Sequence, residues 1–327
     1  MKSDTFTDKF VAAIRAKKSN LIVGLDPQFR FMPPHLKAAI LAKHGPTEEA
    51  VGHLFFEFNR DIIDATLEFA PAFKPQMAFY EKHGPWGVWA FSKTVKHAHK
   101  QGAVVIEDAK RCDGGDTAIA YAEGHLGEID FWGETAEASS KVVSPVRVDC
   151  MTVVPYIGED CVSHFVKVVK EHGTGIFVVT KSSFRPNSKV EQLVSEGGLK
   201  VWEAVAHMVK EWGEGTEGEC GYRNVGVVMG ATFPTDAPRM REILPNAWFL
   251  IPGYGGQGGT ADEAVVGINN DGLGGGVNSS RGIIFAYNKG PFARSSEQFA
   301  SAAADAARAS RDELNEALRR AGKWTYS

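Results

Sequence analysis

The chain has 327 residues, of which 43% are hydrophobic and 23% charged. That is the composition of a soluble globular protein, with room for one large α/β domain or two ordinary ones. A formal net charge of −4 gives no general attraction for nucleic acid or an anionic membrane, and no apolar run approaches the length of a membrane span.

The N-terminal stretch puts Phe6, Phe10, Val11 and Ile14 on one stripe of an amphipathic helix. Its apolar residues are spaced, whereas a secretory leader needs them contiguous. "NLIVGLD" reads as the first strand and ends on Asp26. The helical pattern "EEAVGHLFFEFNRDIIDATLEF" leads to a second strand, "FAPAFKP", which ends near Lys74. In the third, "GAVVIEDAK", side chains alternate between faces, so Asp108 and Lys110 share one of them. Glu107 then points outward toward the helices, an awkward place for a charge, and Asp113 follows in a glycine-rich loop.

"EGHLGEIDFWGETAEASSKVVSP" reads as a connecting element. The fourth strand is "VDCMTVVP", and the fifth, "GIFVVTKSS", leads to Ser182 and Ser183. "GEGTEGECGYRN" is a second connecting element, after the helix "GGLKVWEAVAHMVKEW". "NVGVVMGAT" and "AWFLIPG" are the sixth and seventh strands, the latter opening into "PGYGGQGG". A poorer eighth run, "GGGVNSSRGIIFA", carries Ser280 and Arg281, and "SSEQFASAAADAARASRDELNEALRRA" closes the chain as a long helix.

Strands alternating with helices predict a parallel sheet covered on both faces. Eight of them in 327 residues favour a (β/α)8 TIM barrel over an open doubly wound sheet. Residues 1–327 therefore read as a single α/β domain, with insertions near 128–148 and 184–223.

Functional groups in such a barrel sit at the C-terminal strand ends. Asp26, Lys74, Asp108, Lys110, Asp113, Ser183 and Arg281 all fall there, and one cleft explains them economically. Gly253, Gly255 and Gly258 satisfy GxGxxG, but too late in the chain for a dinucleotide fingerprint. The position after strands seven and eight fits the barrel phosphate site, with glycine amides, a short helix N-terminus, Gln257 and Arg281 as donors.

Other candidates carry less. His97 and His99 lie two apart on a helix and do not face each other, so no metal site is expected there. Cys112 has no histidine near in sequence to activate it. The four cysteines form no CxxC pair, which suggests reduced thiols in the cytoplasm.

The blocks "GLDP", "FKPQMAFYE", "DAKRCDGGDTAIAYA", "MGATFP", "PGYGGQGG" and "VNSSRGIIFA" run from Asp26 to Arg281 in one order. With them the chain resembles the orotidine 5′-phosphate decarboxylase family, in its longer bacterial form. The resemblance implies decarboxylation of orotidine 5′-phosphate to UMP without cofactor or metal. Lys110 would be the proton donor to the pyrimidine C6, within a charged network of Lys74, Asp108, Lys110 and Asp113. Asp113 and Thr117 would reach into the partner's site in a homodimer. Asp26 would hold a ribose hydroxyl and Ser183, or else Ser182, the pyrimidine edge. Pro252, Gln257 and Arg281 would surround the phosphate. The resemblance implies no nucleic-acid or membrane partner.

The chain departs from the family pattern at Cys112, where glycine is usual, at "DGGDT", which adds Asp116, and at the longer "TKSSFRPNS" turn. Two alternatives remain at this stage: a magnesium-dependent sugar-phosphate decarboxylase or hexulose-phosphate synthase of the same superfamily, and a non-catalytic phosphate-binding barrel.

Overall fold

The apolar runs form strands buried along nearly their whole length, which a sheet tolerates only when both its faces are covered. The computed structural model describes residues 5–135, 138–184 and 189–325. Its strands are β1 (Leu21–Leu25), β2 (Ala72–Pro75), β3 (Val104–Arg111), β4 (Glu128–Trp132), β5 (Ser139–Val143), β6 (Cys150–Val153), β7 (Gly175–Lys181), β8 (Arg223–Met229), β9 (Ala247–Ile251) and β10 (Gly275–Ser279). All but β4 and β5 close a parallel barrel in the order β1-β2-β3-β6-β7-β8-β9-β10. Leu21 lies opposite Val277 where β10 returns to β1. The expected (β/α)8 barrel is the fold observed.

The helical layer follows from local signals. Helix Glu48–Thr66 starts at Thr47, whose hydroxyl accepts from the Ala50 amide, with Glu48 and Glu49 favourably placed in its first turn. Leu54, Phe55, Phe58, Ile62 and Ile63 form its buried stripe. Helices Glu159–His172, Val201–Trp212 and Phe299–Arg320 repeat the pattern with their own apolar faces.

Helix Phe6–Lys17 has a different task. Thr5 and Asp8 form a capping box at its start, and the Phe6 amide donates to the Gly173 carbonyl at 2.7 Å. Its aromatic stripe enters the N-terminal end of the barrel, with Phe6 edge-on to Phe177 at 5.9 Å and Phe10 against Trp248 at 4.8 Å. Together with Ile22, Ile106, Val228 and Leu250 these rings fill the barrel interior. Gly175 makes the room, since a Cβ there would lie 2.4 Å from the Phe6 ring. With the N-terminal end plugged, the strands leave their C-terminal end for chemistry.

β4 and β5 pair antiparallel as a hairpin outside the barrel, with Trp132 opposite Ser139. This is the stretch read from sequence as a connecting element, and Phe131 and Trp132 on it are exposed.

Phe10 is fully buried. Phe10→Ala should lower unfolding free energy by about 3–5 kcal/mol, the usual cost of emptying such a site. Urea denaturation measures this, and an unchanged midpoint would show that the helix does not hold the barrel end.

Candidate active site

A cavity of about 440 Å³ opens at the C-terminal end of the barrel, lined in part by Asp26, Lys74, Asp108, Lys110, Gln257 and Arg281. Ser182, Ser183 and Pro252 also line it. Most of the residues chosen from sequence therefore share one space.

β2 and β3 deliver the charged centre. Lys74 is 4% exposed, and its Nζ lies 3.0 Å from Asp108 Oδ2. Gln76 Nε2 donates to the same oxygen at 2.9 Å. The Lys110 ammonium pairs with Asp108 Oδ1, which also accepts from Thr152 Oγ1 at 3.0 Å. Simple alternation along β3 does not produce this arrangement. The register with β6 shifts between Glu107 and Arg111, and Lys110 takes a left-handed backbone at φ 51°. Such a conformation costs a residue with a Cβ about 1–2 kcal/mol. Asp108 and Lys110 do meet, but through a bulge.

Burial pushes the Asp108 carboxyl up, yet the ammonium groups of Lys74 and Lys110 override it and hold the group well below the usual carboxylate range. Lys74 is the counterpart: burial favours its neutral form, and Asp108 and Asp26 more than reverse that. Asp26 is different. Burial raises it, with Lys74 opposing, and its Oδ1 is a buried atom with no hydrogen-bond partner among the described residues. Asn278, also on the cavity wall, likewise has an Oδ1 without a partner among the described residues. Buried acceptors of this kind suit ligand hydroxyl or N–H groups.

The far wall is built by the loops after β7, β9 and β10. Ser183 Oγ donates to Gln257 Oε1 at 2.6 Å and so ties two of these loops together. Ser182 uses its amide to bond Glu191 at 2.9 Å. Gly253, Gly255 and Gly258 all have positive φ, so the loop folds in a way that residues with a Cβ rarely follow. Arg281 is exposed at the mouth and has no ion-pair partner among the described residues.

The short helix that begins directly after β10, Arg281–Ile284, has no side-chain cap at Ser280, and Ser280, Arg281 and Gly282 line the cavity, as a helix N-terminus beside this loop requires. Helix Ala261–Ala264 is capped by its own Thr260 and Glu263, and Asp262 and Glu263 sit in its first turn. Its end is satisfied and locally acidic.

Asp113 and Thr117 do not line the cavity. The Asp113 carboxylate accepts from the Gly114 amide at 2.8 Å, and Thr117 is exposed. Glu107 is fully buried and finds the partner the sequence did not reveal, His125 Nδ1 at 2.7 Å, from the helix that follows. Asp116 lies in the first turn of that helix, Gly115–Leu126, where an anion is favourable. Cys112 packs against the core beside Cys161, whose thiol is pushed up to about 11, chiefly by burial. Gln76, Thr152 and Asn278 went unassigned in the sequence. Gln76 lies inside "FKPQMAFYE", and Thr152 is the polar residue of its apolar strand.

His97 bonds Asp64 and His99 bonds Asp149, so the two histidines diverge. Among the described residues, one group has metal-ligand spacing: His44, Glu49 and His53. It lies on helical segments away from the cavity. Within the cavity, Lys74 already compensates Asp26 and Asp108, which disfavours a divalent cation.

Comparison with known proteins agrees with this geometry. The family model described as "Orotidine 5'-phosphate decarboxylase / HUMPS family" matches residues 19–295. A protein of Rhodopirellula baltica named orotidine 5′-phosphate decarboxylase is 36% identical over 315 residues, covering 96% of this chain and 99% of its own. A Clostridium kluyveri protein of the same name is 37% identical over 273 residues, 84% of this chain and 85% of its own. The solved structure of Leishmania donovani OMP decarboxylase superposes with a TM-score of 0.69 at 28% identity, covering 96% of this chain and 98% of that one.

Because the Asp108 carboxyl titrates lower folded than unfolded, its contribution to stability is complete above about pH 4 and is lost as pH falls through the folded value. Asp26 is shifted the opposite way, so the comparison requires changing Asp108 alone. Asp108→Asn should lose less stability than the parent between about pH 5 and pH 2 in denaturation measurements. Equal losses would show that the ammonium groups do not hold the carboxylate.

Proposed function

Since the chain belongs to the orotidine 5′-phosphate decarboxylase / HUMPS family, we infer that it decarboxylates orotidine 5′-phosphate to UMP and CO2. This is a carboxy-lyase reaction, the last step of de novo pyrimidine synthesis. The observation that carries the reading is the Asp108 carboxylate held between the Lys74 and Lys110 ammonium groups at the cavity floor.

Breaking the C6–carboxylate bond leaves its electron pair on C6, in an orbital that the ring π-system stabilises poorly. Catalysis therefore depends on favouring that developing charge over the charge of the substrate. The Lys110 ammonium does so electrostatically and then transfers a proton to C6, which completes UMP. Asp108 helps to keep Lys74 charged and orients both ammonium groups. The cations needed are side chains, so the step calls for neither a metal nor an organic cofactor.

Binding uses the remaining walls. The unpartnered oxygen of Asp26 accepts a ribose hydroxyl. Arg281, with Gln257 and Pro252, surrounds the phosphate, and the unpaired guanidinium supplies a two-donor grip. Ser183 meets the pyrimidine edge while keeping Gln257 in place. Two chains form a cytoplasmic homodimer, in which Asp113 and Thr117 complete the neighbour's cavity. Their position outside their own cavity supports that reading. The magnesium-dependent alternative is disfavoured by the lysine-compensated carboxylates.

Turnover of orotidine 5′-phosphate, followed by ultraviolet absorbance after exhaustive chelation, tests the reaction directly. The parent should be active, and Lys110→Ala should be inactive while still folded. Mixing inactive Lys110→Ala with inactive Asp113→Ala should restore turnover, because one site of the mixed dimer is then complete. Failure to restore it would remove the shared-site dimer. Arg281→Ala should lower kcat/KM by about ten- to a hundredfold, the effect of losing a charge-assisted hydrogen bond. An unchanged value would mean that the phosphate lies elsewhere.

A further inference from the structure

Among the described residues outside glycine, only Lys18 and Lys110 have positive φ. Lys18 is a helix C-cap, a common site for that conformation. Lys110 is not, and its backbone turns left-handed inside β3, where the pairing with β6 slips. Its amide needs an acceptor, and the one it finds is a side chain: Thr152 Oγ1, at 2.9 Å. The same oxygen lies 3.0 Å from Asp108 Oδ1.

A hydroxyl has one proton and two lone pairs. The ionised carboxylate can only accept, so the Thr152 proton points to Asp108 and a lone pair faces the Lys110 amide. Thr152 is fully buried, so no water replaces either bond. The Lys110 side chain, by contrast, is half-exposed and has little packing to aim it. What aims it is its backbone at one end and Asp108 at the other.

We propose that Thr152 is a positioning residue for the decarboxylation: its single hydroxyl locks both the left-handed Lys110 backbone and the Asp108 carboxylate, and so sets where the Lys110 ammonium stands. The inference rests on the reaction assigned above, and it adds a residue that does not itself touch the substrate. Without the hydroxyl, the Lys110 amide loses its acceptor and the backbone relaxes toward the right-handed region. The ammonium then leaves its place over the reacting carbon.

Thr152→Val keeps the shape and removes the hydroxyl, whereas Thr152→Ser keeps the hydroxyl. Kinetics with orotidine 5′-phosphate should give Val a kcat at least about tenfold below the parent, with KM within about threefold, because misplacing a preorganised group costs the chemical step more than binding. Ser should restore most of kcat. A lower melting temperature with unchanged kcat per folded molecule would make Thr152 merely structural and overturn the proposal. Should Val not fold, Thr152→Ala carries the same expectation.

A parent enzyme without turnover would defeat the assigned reaction instead. The geometric part is then read from a crystal structure of the Val variant. Lys110 leaving the left-handed region supports the lock, and Lys110 retained there with its ammonium still on Asp108 overturns it.

Discussion

Asp108 spends both its oxygens on four donors: Lys74 and Gln76 on one, Lys110 and Thr152 on the other. A buried carboxylate is costly unless paired and hydrogen-bonded, and here the pairing is with two cations. With Arg281 on the same cavity wall, these cations are what the cavity offers to a substrate carrying a carboxylate and a phosphate. Burial would neutralise the Lys74 ammonium, and the Asp108 carboxylate, with Asp26, raises it against that burial. A lysine destined for imine chemistry would need the opposite surroundings.

The barrel is the means of assembling these groups. β10, β1, β2 and β3 are consecutive around it. Their C-terminal ends therefore bring Arg281, Asp26, Lys74 and Asp108 side by side, although 255 positions separate Asp26 from Arg281 in sequence. The loops after β7 and β9 close the opposite side, joined by the bond from Ser183 to Gln257. Strand order thus divides the cavity into a charged face and a glycine-rich face. Plugging the other end with Phe6 and Phe10 allows the interior to be dry core up to the level of the cavity.

Much of this could be read in the sequence, because buried parallel strands are continuous apolar runs and their polar endings stand out. Asp26, Lys74, Asp108, Lys110 and Arg281 were visible for that reason. Side-chain bonds between distant segments were not. Thr152 looks like one more β-branched strand residue until β6 lies beside β3, and Glu107 looks misplaced until His125 packs over it. The bulge at Lys110 was hidden as well, since alternation puts the same two residues on one face. Nor does any local pattern tell the two short helices near the glycine loop apart: Thr260 and Glu263 cap Ala261–Ala264, whereas Arg281–Ile284, directly after β10, has no side-chain cap and starts at the cavity wall. Which strand a polar residue ends was a local question; which group it meets depended on tertiary packing.

The account stands on the position of one ammonium group relative to a pyrimidine ring. A crystal structure with bound UMP measures it directly. The Lys110 Nζ should lie about 3–3.5 Å from C6, the distance for proton delivery, with its contact to Asp108 preserved. A Lys110 ammonium many ångströms from the ring, with the base seated elsewhere in the cavity, would contradict the mechanism.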